Sequence, residues 1–231
     1  MGTDAWFYGS VLFMLCYSVL PGNPGDVLER IWTEMKAWYS FHRVVDHFGK
    51  LKMSMFHDPA EPHAKFPKLK GRAIEMRNLG KPLLECWMKH SDPANMQHKQ
   101  IGLALKASCA IEDVLTANKG LPKLPTAAGE EIRKAGTVFL LMATALNNHF
   151  AVSRGEKLFN ITVKFHYLDH ACDNAKGGLN PTLGWCYAGE DYMSKLKRLA
   201  ASCMRGTGAQ LISTKLMQKY SVGLHKRLVE R

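Results

Sequence analysis

The chain has little that would build a sheet, a disulfide framework or a standard nucleotide site. Its six cysteines (Cys16, Cys86, Cys109, Cys172, Cys186 and Cys203) are scattered without a C-x-x-C pair. That spacing excludes a zinc ribbon, a thioredoxin-type centre and a disulfide-stapled scaffold, and it fits a reducing compartment. No G-x-x-x-x-G-K-[ST], G-x-G-x-x-G or G-x-S-x-G occurs, so ordinary NTPase, dinucleotide and esterase readings lose their best support. Alternation of apolar and polar residues is confined to Phe159 through Phe165, too little for a sheet. No internal repeat is visible. The apolar run at residues 5–20 is short for a membrane span, follows Asp4 rather than a basic residue, and leads into Pro-Gly-Asn-Pro-Gly. It is expected to be a buried helix rather than a signal or an anchor. Asn160-Ile161-Thr162 matches the glycosylation triplet and, with no export signal expected, is read as a chance match.

What is present is helical periodicity with recognisable starts and stops. Hydrophobic residues make up 46% of the 231, enough for a substantial core. Asn23-Pro24 reads as a capped start, followed by Val27, Leu28, Ile31, Trp32, Met35 and Trp38 at helical spacing, with the helix expected to reach Phe48. Pro59, Pro62 and Pro67 mark residues 57–68 as an extended connector, after which helices resume near Leu69 and again at Pro82. Ser91-Asp92-Pro93 reads as another start, with a stop at Gly120. A long amphipathic segment over 127–152 turns Ile132, Val138, Phe139, Leu141, Met142, Leu146 and Phe150 inward. The stretch around 158–170 is assigned as helix, and further helices are expected over 187–205 and 210–228. The fold class is therefore all-α: an irregular bundle of about seven to nine helices without a substantial sheet, in one domain. Within it, 1–56, the connector 57–68 and 69–231 are natural subdivisions.

Charge is the second positive signal. The 31 Lys and Arg outweigh 20 acids, and from Lys195 onward nine bases face Glu230 alone. Such a segment attracts polyanions, nucleic acid first and an anionic membrane second, while a solvated helix face is its bland equivalent. The residues expected to meet nucleic acid are Lys195, Lys197, Arg198, Arg205, Lys215, Lys219, Lys226 and Arg227. Contact without sequence preference is expected, because no base-reading motif accompanies the charge. Gly206-Thr207-Gly208 ahead of the last helix offers free N–H groups to a phosphate, though such a turn is a poor fingerprint.

His166 and His170 are four apart, which on a helix brings both imidazoles to one face. With Asp169 they form a candidate metal group, and Cys172 and Asp173 are near. The alternative is a polar cap, favoured because Tyr167 stands where zinc helices usually carry Glu. Glu190-Asp191 precede a helix, where exposed N–H groups favour acids in any case. Trp185 and Tyr187 beside them read as packing residues first.

Taken in order, Phe66-Pro67, Leu69-Lys70-Gly71-Arg72-Ala73, Arg77, Leu79, Pro82-Leu83-Leu84, Leu158-Phe159-Asn160, Lys164-Phe165-His166, Leu168, His170, Trp185-Cys186-Tyr187, Gly189-Glu190, Lys195 and Lys197 form a series. It resembles the helical C-terminal part of Asp-Asp-Glu transposase-like reading frames dispersed in eukaryotic genomes. The resemblance covers residues 66–205. It implies that Glu190 matches the late metal-binding, catalytic Glu and that Lys197 and Arg198 lie on the DNA side. The first two aspartates of such enzymes sit on strands, and this chain has no region of that kind. The resemblance therefore implies a transposable-element fragment or degenerate copy with an incomplete site. It needs no cofactor of its own, takes Mg²⁺ only when a catalytic segment upstream completes the site, and does not cleave DNA alone. The partners expected are nucleic acid, bound without sequence preference, and a catalytic segment or chain upstream, rather than membrane, in an intracellular, nuclear or cytoplasmic setting. The alternatives are a helical protein-interaction module without activity and a membrane-associated protein anchored by residues 5–20.

Overall fold

In a computed structural model, residues 2–184, 197, 199–204 and 208–229 are described, and among them no strand occurs; Lys123 and Leu179 form one isolated bridge. The chain divides into two compact units, Met1–Gly184 and Trp185–Arg231. The first holds α1 (Gly2–Met14), α2 (Pro24–Phe41), α3 (Ala73–His90), α4 (Met96–Ala117), α5 (Thr126–Asn147) and α6 (Val163–Lys176). The second holds a helical stretch at 199–204, α7, and then α8 (Ile212–Val229). Among the described residues the protein is all-α, a multi-helix fold of eight helices.

Helix α1 lies at the centre of the first unit. It is apolar on nearly every face, which suits a helix with neighbours all round. Phe7 through Cys16 are buried without interruption, so the middle of the apolar run at 5–20 is a core element, while Ala5, Trp6 and residues 17–20 are half-buried or exposed. Each large side chain removed from water there contributes about 1.5–3 kcal/mol. Phe7 meets Phe139 of α5 edge-on at 5.2 Å and Phe159 at 5.4 Å. Two polar groups on α1 pair across the core: Tyr8 Oη with Ser108 Oγ of α4 at 2.9 Å, and Ser10 Oγ with the Phe159 N–H at 2.9 Å. Gly9 allows the extended segment 67–69 to lie directly on the helix, since a Cβ there would stand 2.8 Å from the Leu69 nitrogen.

Several boundaries differ from the sequence expectation. Asn23 caps α2 as expected, accepting the Gly25 N–H at 2.9 Å with Pro24 in the first turn. The helix ends at Phe41 rather than Phe48, because Arg43 turns left-handed (φ 55°) and the chain folds back to bury Phe48 and Leu51. On its inner face Tyr39 is buried, while Trp38 is only half-buried and donates Nε1–H to Glu85 of α3 at 2.7 Å. Helix α3 is continuous through Pro82, where two helices were expected. Its start is fixed by Glu75, whose carboxylate accepts the Arg72 N–H at 2.7 Å. Helix α4 begins at Met96, capped by Asn95, because Asp92 closes a turn on the Ala94 N–H instead of capping a helix.

Helix α5 packs against α4 and α6 through Gly129, Ile132, Gly136, Phe139, Ala143 and Leu146. Val138 and Leu141, expected inside, are 39% and 59% exposed because the buried face of α5 is the one that carries Ile132, Gly136, Phe139, Ala143 and Leu146. With its terminal π turn, Thr126–Val152 is long and apolar enough to cross a membrane by length and composition. Gly155 (φ 68°) then reverses the chain. Residues 158–162 are irregular rather than helical, with α6 starting at Val163. Phe159 adopts φ 55°, and its carbonyl accepts the side-chain amide of Asn147 at 3.0 Å.

Candidate nucleic-acid interface

The Pro-rich segment 57–68 belongs to the body of the first unit. Three backbone hydrogen bonds of 2.8 Å seat it: Lys68 N–H to Phe56 O, Lys70 N–H to Met55 O, and Leu69 N–H to Ala5 O. The alternation that results is a short extended one, in which Pro67 and Leu69 point inward while Lys68 and Lys70 face solvent. Where this segment meets the start of α1, an open cleft of about 840 Å³ forms.

Lys65, Lys68, Lys70 and Lys157 line the cleft together with Trp6 and Phe66, and Asp58 is the acid among its walls. All four lysines are exposed. Lys68 Nζ sits 5.0 Å above the centre of the Trp6 ring, so a cation and an indole share the floor. Lys157 donates to the Ala64 carbonyl at 2.6 Å, tying the far wall to the Pro-rich segment. His57, also in the wall, has its pKa lowered, chiefly by burial, against the raising effect of its bond with the Asp58 carbonyl at 2.9 Å. The positive charge of the cleft near neutral pH therefore comes from lysine. Such a surface can hold a phosphate chain by its ammonium groups and present aromatic faces to whatever the phosphates carry.

The basic residues expected at the C-terminus are only partly within the described chain. Lys195, Arg198, Arg205 and Glu190 lie outside the described residues, and so do the side chains of Lys226 and Arg227 on α8. Lys197 is exposed and Lys215 half-buried. Lys219 is exposed and turns back to Ser202 of α7, donating to its carbonyl at 3.3 Å and its Oγ at 3.1 Å. Within this unit, then, one of the expected phosphate contacts is engaged in an internal hydrogen bond.

Helix α6 brings His166 and His170 together, Nε2 to Nε2 at 3.0 Å, on an exposed face. Asp169 instead turns to Arg133 of α5, which also binds Asp173 at 3.1 Å. Cys172 is buried against Gly136. The guanidinium thus takes both carboxylates, and the two imidazoles are left as a pair. Among the described residues, the group that brings three potential ligand atoms within 4.8 Å of one another is Glu34, Cys86 and His90, on α2 and α3.

The sequence placed the expected nucleic-acid contacts at the C-terminus and gave no such role to Lys65, Lys68, Lys70 or Lys157. The signal that marks three of them is Lys-Phe-Pro-Lys-Leu-Lys at 65–70, a basic run alternating with apolar residues inside what looked like a connector. Comparison with known proteins finds no matching family model, no matching curated protein and no matching solved structure.

Proposed function

We propose that this chain is a nucleic-acid-associated helical protein of transposase-like, transposable-element type, which holds a single strand in the lysine-lined cleft of its first unit without preference for sequence. The observation that carries the reading is the meeting of four exposed lysines with Trp6 and Phe66 in one open cleft. Lysines follow the phosphates, and aromatic faces accept any base, which is the chemistry of sequence-tolerant single-strand binding. The net charge of +11 supports it by raising the encounter rate with any polyanion. The resemblance of residues 66–205 to transposase-like frames points the same way. The basic C-terminal unit supplies a second, independent surface for the same polymer.

The test is fluorescence anisotropy with a labelled oligonucleotide across a salt series. Binding on the non-specific scale, about 10⁻⁴–10⁻⁶ M near physiological salt, is expected. Changing Lys65, Lys68 and Lys70 together to Ala removes three phosphate contacts, so the log–log salt slope should fall by about 2. Trp6→Ala should weaken binding with the slope unchanged, as a lost stacking contact does. A triple variant that binds with the parental affinity and slope would overturn the cleft as the site, and parallel loss in Lys197→Ala/Lys219→Ala would move it to the C-terminal unit.

A further inference from the structure

We infer that Glu34, Cys86 and His90 form a site for a borderline-soft divalent metal, zinc by preference, at the junction of α2 and α3. Their ligand atoms lie within 4.8 Å of one another. Cys86 and His90 stand four apart on α3, one turn from each other on a single face, and Glu34 reaches across from α2. His90 Nε2 is already 3.0–3.1 Å from both Glu34 oxygens. Tetrahedral zinc with one sulfur, one nitrogen and one oxygen ligand needs its ligand atoms about 3.3–3.7 Å apart, so only small side-chain rotations separate this arrangement from a coordination shell.

The donor set selects the ion. One thiolate, one imidazole and one carboxylate suit zinc or cobalt, whereas magnesium and calcium prefer oxygen alone. Cys86 closes the site from the core, while the side chains of Glu34 and His90 keep 26% and 16% exposure. The fourth position opens toward that exposed side and is left to water.

Two features oppose binding and make the inference testable. Burial raises the Cys86 thiol to about 12, so the metal must displace its proton to solvent, one proton for each ion bound. Lys89 Nζ lies 3.0 Å from Glu34 Oε1 and competes with the cation for that carboxylate. An ion pair explains Lys89, His90 and Glu34 together; the thiol directed at the same point is what the ion pair does not use.

The experiment is cobalt titration of the full reduced chain, followed by optical absorption, with zinc as competitor. Expected are a thiolate-to-cobalt charge-transfer band and tetrahedral d–d bands at one equivalent, both abolished by zinc. Cys86→Ser should lose the charge-transfer band. His90→Gln, at a position near the surface, should weaken the site without the folding risk of a core change. Lys89→Ala should tighten it by up to about fivefold, the worth of one partly exposed ion pair. The doubly changed His166→Ala/His170→Ala chain should give the parental spectrum. Absence of a thiolate band in the parent, a band that survives Cys86→Ser, or loss of the band on changing His166 and His170 would each overturn the assignment.

Discussion

Replacing Gly136 by alanine sets two terms of opposite sign against each other. In a helix interior Gly→Ala ordinarily stabilises by about 1 kcal/mol, because alanine gives up less backbone freedom on folding. At Gly136 the added Cβ would fall 2.3 Å from Cys172 Sγ and 3.1 Å from Cys172 Cβ on α6. Relief of the sulfur contact requires α5 and α6 to separate or Cys172 to leave its well, and overpacking of this sort costs about 1–3 kcal/mol. Gly136→Ala should therefore be destabilising by up to about 2 kcal/mol after the propensity gain is subtracted. Cys172→Ala alone removes a buried sulfur and should cost about 1–2 kcal/mol. In the double variant the new methyl occupies the space the sulfur left, so the chain should lie within about 1 kcal/mol of the parent and the two changes should couple by at least that much. Gly129→Ala is the control: its Cβ would meet the backbone carbonyl of Ala175 at 2.3 Å, a clash that no side-chain truncation removes. Urea denaturation of the four variants and the parent gives the midpoints and slopes needed. Simple additivity of Gly136→Ala and Cys172→Ala, or a Gly136→Ala chain more stable than the parent, would refute close approach of α5 and α6 at this point.

Alkaline stability follows from the buried thiols. Burial raises Cys16, Cys86 and Cys109 from 9.0 to about 12 and Cys172 to about 11. A folded pKa above the unfolded one means stability that is complete below pH 9 and lost as pH rises through the folded value, at about 1.4 kcal/mol per pH unit for each thiol. Urea midpoints under reducing conditions should fall steeply above pH 9, and Cys109→Ala should flatten that fall by one thiol's share; unchanged midpoints to pH 11 would refute the burial assigned to these groups. Asn23→Ala removes the side chain that accepts the Gly25 N–H at the start of α2 and should cost about 1 kcal/mol. Asn23→Gly should cost only a few tenths, and equal losses for the two would show that the cap contributes nothing.

The sequence by itself determined the class of the fold and the positions of most helices. Asn23-Pro24 caps α2, Gly120 and Gly155 end their segments in left-handed turns, and recurring apolar residues mark the inner faces, because these are local effects acting within one or two turns. The burial of the middle of the apolar run, residues 7–16, was also legible, since a short helix without a polar face needs partners on every side. Tertiary structure decided the rest. Pro82 stays inside one helix because α3 is fixed on both sides of it, and Val138 and Leu141 face out because α4 and α6 pack on the other face of α5, where Gly129, Gly136 and Ala143 leave room between Ile132, Phe139 and Leu146. Asp169 faces Arg133 rather than the two histidines because α5 passes on that side of α6. The lysine cleft and the Glu34, Cys86 and His90 group were beyond reach for a common reason: each joins residues from segments far apart in the chain, and only packing sets those segments side by side.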